Sequence, residues 1–344
     1  MRIIVDIMSG DHAPLEMLKG AVHAAAQPYA EGVDITLVGD ESVIKKLAKE
    51  NDLDISRFDI RHAEEVITMH DDPMAVMKEK NNSSLAEGLK MLSRGEGDAF
   101  VSCGNTGALF CGATLIVKRV KGIQRAAIGA ILPLTTPFLL MDSGASVKIN
   151  EDYMHQFAIM GSAYMKALYN VESPRVGMIN NGSEETKGGE LQLAAYPKLA
   201  ESKYINFVGN VEGNQLAVGA CDVAVCDGFV GNIVLKTVEG MGKMMSAELK
   251  SIFKSGLGGV LAYLCVRKAL KNFKKKFDST EHGGAPILGI SKTVIKAHGS
   301  SNAKAFANAI RQAISCEKTG VVDIIAREAQ RLSEEKKKVS ATEE

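Results

Sequence analysis

Four strings in this chain place a Gly/Asn/Ser-rich turn between an apolar run and a helical pattern: VSCGNTGALF (101–110), MINNGSEETKGGE (178–190), VCDGFVGNIVLKTVE (225–239) and IKAHGSSNAKAF (295–306). Glycine and asparagine in such turns permit left-handed backbone and the close approach of another group. The helix that follows offers unpaired N–H groups and a positive dipole end, which together suit an anion. Gly104, Asn105, Thr106, Gly107, Asp227, Gly228, Gly231, Ser300 and Ser301 are therefore candidate phosphate- or substrate-binding residues. Any one such turn alone does no more than reverse the chain. It is their recurrence, each directly before a helix, that points to a site. Asp11 and His12 join the set in GDHAP (10–14), after the first apolar run. Asp11 has an alternative role as cap of the next helix, with Pro14 at an early helical position.

Three side chains are candidate catalytic groups: Lys187, Asn232 and His298. Lys187 falls at the start of a helix expected over 186–202, where a positive charge opposes the dipole unless an anion waits there. Asn232 supplies an amide donor beside its turn. His298 reads as a general acid/base, an anion ligand or a capped structural histidine, and a single histidine gives no way to choose.

Other chemistries lack their signatures. GNTGAL has no third glycine of GxGxxG, and no GxxxxGK[ST] or GxSxG occurs. No cofactor is implied. His62, His70 and His282 show no ligand-like spacing, so no metal is expected; Asp222 and Asp227 are the one tempting carboxylate pair. The six cysteines form no CxxC and read as reduced residues of a cytosolic protein. Cys103, just before a glycine turn, is either a small buried hydrophobe or a covalent relay. Basic and acidic residues balance at 41 each, Trp is absent and aromatics make up 5%, which argues against a nucleic-acid partner. No apolar run approaches the roughly 20 residues that span a bilayer.

The elements that must position these residues alternate. RIIVD (2–6), DITLVG (34–39), DAFVSC (98–103), AAIGAIL (126–132), FLLMD (138–142), RVGMIN (175–180), INFVG (205–209), DVAVCD (222–227) and TVIKAH (293–298) read as strands, with amphipathic stretches between them. Near-continuous apolar runs fit strands covered on both faces. The expected fold is α/β: three layers, α/β/α, with a mostly parallel sheet and a projecting helical hairpin. Residues 1–332 are expected to form a single α/β catalytic domain, with 333–344 a disordered tail. Ligands bind outside the carboxyl ends of such strands, so the turns are expected along one edge, in one anion-favouring cleft.

Residues 241–277 read as two helices joined near Ser255-Gly256, with no acidic residue from Leu249 to Phe277. Leu257, Val260, Leu261 and Leu264 make an apolar stripe near the joint. A basic helix pair with an apolar tip suits a membrane surface or an acidic partner. The plainer alternative is a hairpin that packs on the body or on a second subunit.

GDHAP (10–14), GNTGAL (104–109), GSEETKG (182–188), NFVGNVEG (206–213), CDGFVGN (226–232) and AHGSSN (297–302) occur here in the order found in the PlsX family, which the chain resembles over about residues 1–330. These are the bacterial phosphate acyltransferases of phospholipid synthesis. The resemblance implies transfer of a fatty acyl group from acyl carrier protein to inorganic phosphate. The acyl phosphate formed would pass to a membrane-bound glycerol 3-phosphate acyltransferase. It implies a fold like that of isocitrate/isopropylmalate dehydrogenases and phosphate acetyltransferases, a homodimer, and a cytoplasmic enzyme held peripherally on anionic membrane by the tip at 255–264. The basic stem, Arg267, Lys268 and Lys271, is then a docking surface for the carrier protein. Two positions depart from the family pattern: Ser9, where glycine is common, and Ser146, where asparagine is common. Rival readings are a metal- and NAD(P)-dependent dehydrogenase of the same fold, a coenzyme A-dependent phosphate acetyltransferase, and a non-catalytic acyl-carrier or membrane scaffold.

Overall fold

The structure, a computed structural model, describes residues 1–254, 256–277 and 283–340, without the side chains of 257, 259, 260, 271–277 and 336–340. Its strands are β1 (Arg2–Asp6), β2 (Asp34–Gly39), β3 (Asp59–His62), β4 (Ala99–Ser102), β5 (Ala127–Leu132), β6 (Phe138–Met141), β7 (Arg175–Ile179), β8 (Asn206–Val211), β9 (Val223–Val225), β10 (Ala285–Leu288) and β11 (Thr293–Lys296). Its helices are α1 (Leu15–Ala25), α2 (Glu41–Glu50), α3 (Ser84–Ser93), α4 (Thr106–Gly112), α5 (Glu151–Tyr169), α6 (Glu190–Ala200), α7 (Gly213–Leu216), α8 (Gly228–Lys254), α9 (Leu257–Phe277), α10 (Ala303–Thr319) and α11 (Val321–Ser340).

The strands form one sheet in the order β3-β2-β1-β4-β11-β10-β5-β6-β9-β7-β8. Near-continuous apolar strands bury both faces: Ile3, Val5, Val101 and Ile295 pack in one core with α1 and α10, while Ile4, Phe100 and Val294 pack in another with α3. This is the α/β architecture expected, with a mostly parallel sheet between helices.

One expectation needs correction. The pairs β11–β10, β10–β5 and β5–β6 are antiparallel, so the parallel half around β1, β4 and β11 runs opposite to the half around β6, β9 and β7. The turns therefore do not share a single carboxyl edge. One set follows β1, β4 and β11; the other follows β6, β7 and β9. Helix α8 joins them, because it starts in the second set and its Lys236 Nζ lies 3.5 Å from His298 Nε2 in the first.

Three boundaries also move. The long arm of the hairpin starts at Gly228, not near 241, so it grows directly out of the CDGFVGN turn. Helix α6 starts at Glu190 with Gly189 before it, which leaves Lys187 in the turn. Helix α11 runs unbroken to Ser340, through residues 333–340 of the expected disordered tail, and 341–344 lie outside the described residues.

Candidate active site

The turn after β4 is built from the sheet outward. Ser102 Oγ donates to the buried Asp6 carboxylate at 2.7 Å and accepts from the Gly104 N–H at 3.0 Å. Burial pushes the Asp6 pKa up, against the hydrogen bonds that the carboxylate accepts. Asn105 caps α4, its Oδ1 accepting from the Ala108 N–H at 3.1 Å. Its Nδ2 donates to the carbonyls of Thr68, Met69 and Asp71 at 3.2, 3.3 and 3.2 Å. That amide is engaged inside the protein and is not a free donor to a ligand. The turn leaves backbone free instead. The N–H groups of Thr106 and Gly107 are the first two of α4 and find no acceptor among the described residues. Packing fixes the glycines: a Cβ on Gly104 would lie 2.8 Å from Leu85, and one on Gly107 2.7 Å from Pro73.

The start of α8 shows the opposite arrangement. The Gly228 N–H donates to the Ser146 carbonyl at 2.8 Å and the Gly231 N–H to the Asp227 carbonyl at 3.0 Å. Asp227 Oδ1 accepts from Phe229 and Val230 at 2.9 and 3.0 Å. The dipole end expected to attract an anion is thus already closed by a capping carboxylate. A Cβ on Gly231 would overlap the Asp142 carbonyl oxygen, so the helix start is clamped to the 142–146 turn. Asp142 itself accepts from the N–H groups of Ile128, Gly144, Ala145 and Ser146. Asn232, one position past the clamp, is exposed, with its side chain beside Gly144.

The strings GDHAP and AHGSSN meet: the Asp11 N–H donates to the Gly299 carbonyl at 2.8 Å. Asp11 is no helix cap, since Pro14 precedes α1 and no side chain caps it. Asp11 and His12 are exposed. His298 Nδ1 lies 2.9 Å from Ser300 Oγ and accepts from the Ser300 N–H at 3.2 Å. Partial burial, then the Lys236 charge, hold the His298 pKa below the usual histidine value. Ser301 is buried, and its N–H donates to the His298 carbonyl at 3.0 Å.

Lys187 stands apart from this group. It is exposed; its N–H and carbonyl bond within the 180–187 turn, and no hydrogen bond or ion pair among the described residues links it to the other candidates. The tempting metal pair is also separated. Asp222 lies just before β9 and holds the Arg175 guanidinium at 2.9 and 3.1 Å, whereas Asp227 follows the far end of that strand. Burial raises the Cys103 thiol to about 12, so it is a poor nucleophile and packs against Met17. Ser9 and Ser146, the two departures, are both buried, and Ser146 Oγ accepts from Arg125 Nε at 2.8 Å.

Sequence reasoning missed Lys236, Lys296 and Arg125. Lys296 was visible as the one charge in TVIKAH, a strand otherwise read as core. Lys236 reads as an ordinary solvated helix residue, and only the approach of β11 sets it beside His298. On the hairpin, Leu261 and Leu264 are exposed at 64% and 54%, and Arg267 and Lys268 are exposed. The side chains of Leu257, Val260 and Lys271 lie outside the described residues. Among the described residues no helix is long and apolar enough to cross a membrane.

A family model described as fatty acid synthesis protein matches residues 1–324. The chain is 45% identical over 329 residues to a phosphate acyltransferase from Acetivibrio thermocellus, covering 95% of this chain and 96% of the relative. It is 44% identical over 336 residues to another from Thermoanaerobacterium thermosaccharolyticum, covering 97% and 98%. The chain belongs to this family of phosphate acyltransferases. Solved structures agree on the fold. A phosphotransacetylase from Streptococcus pyogenes superposes with a TM-score of 0.60 at 15% identity, covering 92% of this chain and 93% of its own. The EutD phosphotransacetylase from Staphylococcus aureus gives 0.57 at 14%, with the same coverage.

Proposed function

We propose that the protein moves a fatty acyl group from acyl carrier protein to inorganic phosphate, for phospholipid synthesis. The observation that carries the reading within this family is the pairing of free Thr106 and Gly107 N–H groups with engaged side chains around them. A phosphate oxygen attacks the thioester carbonyl carbon; the C–O bond forms and the C–S bond breaks. The proton of hydrogen phosphate ends on the departing sulfur, so the products are an acyl phosphate dianion and a free thiol. Phosphate is already an oxyanion and a thiolate is a fair leaving group, so neither metal nor strong base is needed. The residues orient the partners and stabilise the tetrahedral oxyanion. Thr106 and Gly107 supply backbone donors, Asn232 an amide, and Lys187 a mobile positive charge from the β7 turn. His298 returns the proton to sulfur.

The basic stem (Arg267, Lys268, Lys271) faces the acidic carrier, and the tip (Leu257, Val260, Leu261, Leu264) rests on anionic membrane. There the acyl phosphate reaches an acyltransferase for glycerol 3-phosphate. The exposed stripe Phe229, Ile233, Met241, Met244 and Ile252 on α8 supports a homodimer. The enzyme is cytoplasmic, built as a single catalytic domain over 1–332. The deciding assay supplies acyl carrier thioester and phosphate to purified protein. Free thiol and acyl phosphate should appear together; thiol release equally fast without phosphate overturns the reading. Replacing Leu261 and Leu264 with serine should abolish co-sedimentation with anionic vesicles; persistence removes the tip.

A further inference from the structure

Asp6, Ser102 and Lys296 close three adjacent parallel strands at the same level. Ser102 pairs with Lys296 in the β4–β11 register, and the Val5–Val101 pair puts Asp6 beside Ser102. Two residues earlier, Ile4, Phe100 and Val294 share one core, so the polar row caps that same face of the sheet. Asp6 finds its partner in Ser102. Lys296 is only 9% exposed, yet among the described residues no carboxylate pairs with it; its ammonium donates to the adjacent Ala297 carbonyl. A lysine is seldom buried this far without a counter-charge.

The surroundings add positive charge. Lys236 reaches across from α8 to within 3.5 Å of His298 Nε2, and Lys243 of the same helix and Lys296 also act on that ring. Lys236 is paired with Glu239 at 2.9 Å, and the Asp11 charge acts on Lys296. Three ammonium groups and an imidazole gather here with the carboxylates of Asp6, Asp11 and Glu239, and among the described residues none of the three carboxylates forms an ion pair with Lys296. The cluster sits where α8, from one half of the sheet, meets the turn after β11 in the other.

We propose that Lys236, Lys296 and His298 form the seat of inorganic phosphate. This deepens the acyl-transfer reading and rests on it for the fate of the bound anion. A dianion there supplies the missing counter-charge to Lys296 and touches both halves of the molecule. The α8 N-terminus, whose N–H groups are internally engaged, is not that seat.

The test uses the full-length protein and inorganic phosphate as the probe. In Lys236→Gln and Lys296→Met the KM for phosphate should rise about tenfold or more, while the KM for the acyl donor stays within about twofold. Equilibrium dialysis of labelled phosphate without acyl donor should show the same loss. Lys236→Gln alters an exposed residue and keeps the test decisive if Lys296→Met fails to fold. Phosphate binding within about twofold of the parent in folded Lys236→Gln overturns the seat, whatever the catalytic result. If the parent forms no acyl phosphate yet loses phosphate binding in the variants, the acyl-transfer reading falls and the seat stands.

Discussion

The turns that begin α4 and α8 share one sequence grammar, Gly-Asn before or within a helix start, and divide their donors in opposite ways. At α4 the Asn105 side chain is engaged by four backbone groups, and the first two N–H groups are left free. At α8 the first N–H groups are taken by Asp227 and Ser146, and the Asn232 side chain finds no hydrogen-bond partner among the described residues. The difference lies in who caps. An asparagine that caps is lost to chemistry but leaves N–H groups at the first turn. An aspartate that caps silences the dipole end and releases the asparagine that follows. Like motifs are thus not interchangeable parts, and one oxyanion site can take backbone donors from one turn and a side-chain donor from the other.

The largest effect should come from breaking the clamp. Gly231→Ala drives a methyl into the Asp142 carbonyl and should cost upward of about 4 kcal/mol in urea unfolding. An unchanged midpoint would show that α8 is not fixed at its start. Next, Asn232→Ala should lower kcat about a hundredfold with stability held within about 0.5 kcal/mol. Near-parental turnover would end the contrast between the two asparagines. Asn105→Ala should do the reverse, losing about 2 kcal/mol of stability through the missing cap and orphaned carbonyls. Its folded fraction should keep more turnover than Asn232→Ala, and a smaller stability loss than Asn232→Ala shows would refute the assignment.

The smallest effect is on pH. His298 titrates below the ordinary histidine value, so its ring is neutral at neutral pH and gains a proton only as pH falls through that lowered pKa. Burial pushes it down first, then the charges of Lys236, Lys296 and Lys243, while Glu239 pulls it up. Lys236→Gln removes one repulsive charge and should move the acid limb of activity to higher pH. An imidazole NMR titration checks the direction; a shift to lower pH contradicts the contact across the two halves.

Much of the fold was legible because buried parallel strands must be apolar almost throughout. β3 and β10 escaped notice for physical reasons. DIRH is a largely exposed edge strand, and APIL is short and carries a proline. The first arm of the hairpin begins before 241, because α8 runs on through Gly240 and Gly242 from the CDGFVGN turn. Turn positions in the site could be found from Gly and Asn alone. Which atoms those turns leave free could not, since that depends on distant segments: the Thr68–Asp71 carbonyls for Asn105, and Asp142 for Gly231. Lys296 is the reverse case, a signal present in the strand but overlooked.

Helix α8 carries 27 residues from the Asp142 clamp to the hairpin joint, about 40 Å at the rise of an α-helix. A rod held at one end magnifies rotation at the other: a pivot of about 5° at Gly228 sweeps its far end by roughly 3.5 Å. Run backwards, the same ratio is a reduction gear. Large excursions of whatever grips the distal arm arrive at Asn232 as about 0.5 Å and at Lys236 as about 1 Å, the scale on which hydrogen bonds are gained or lost.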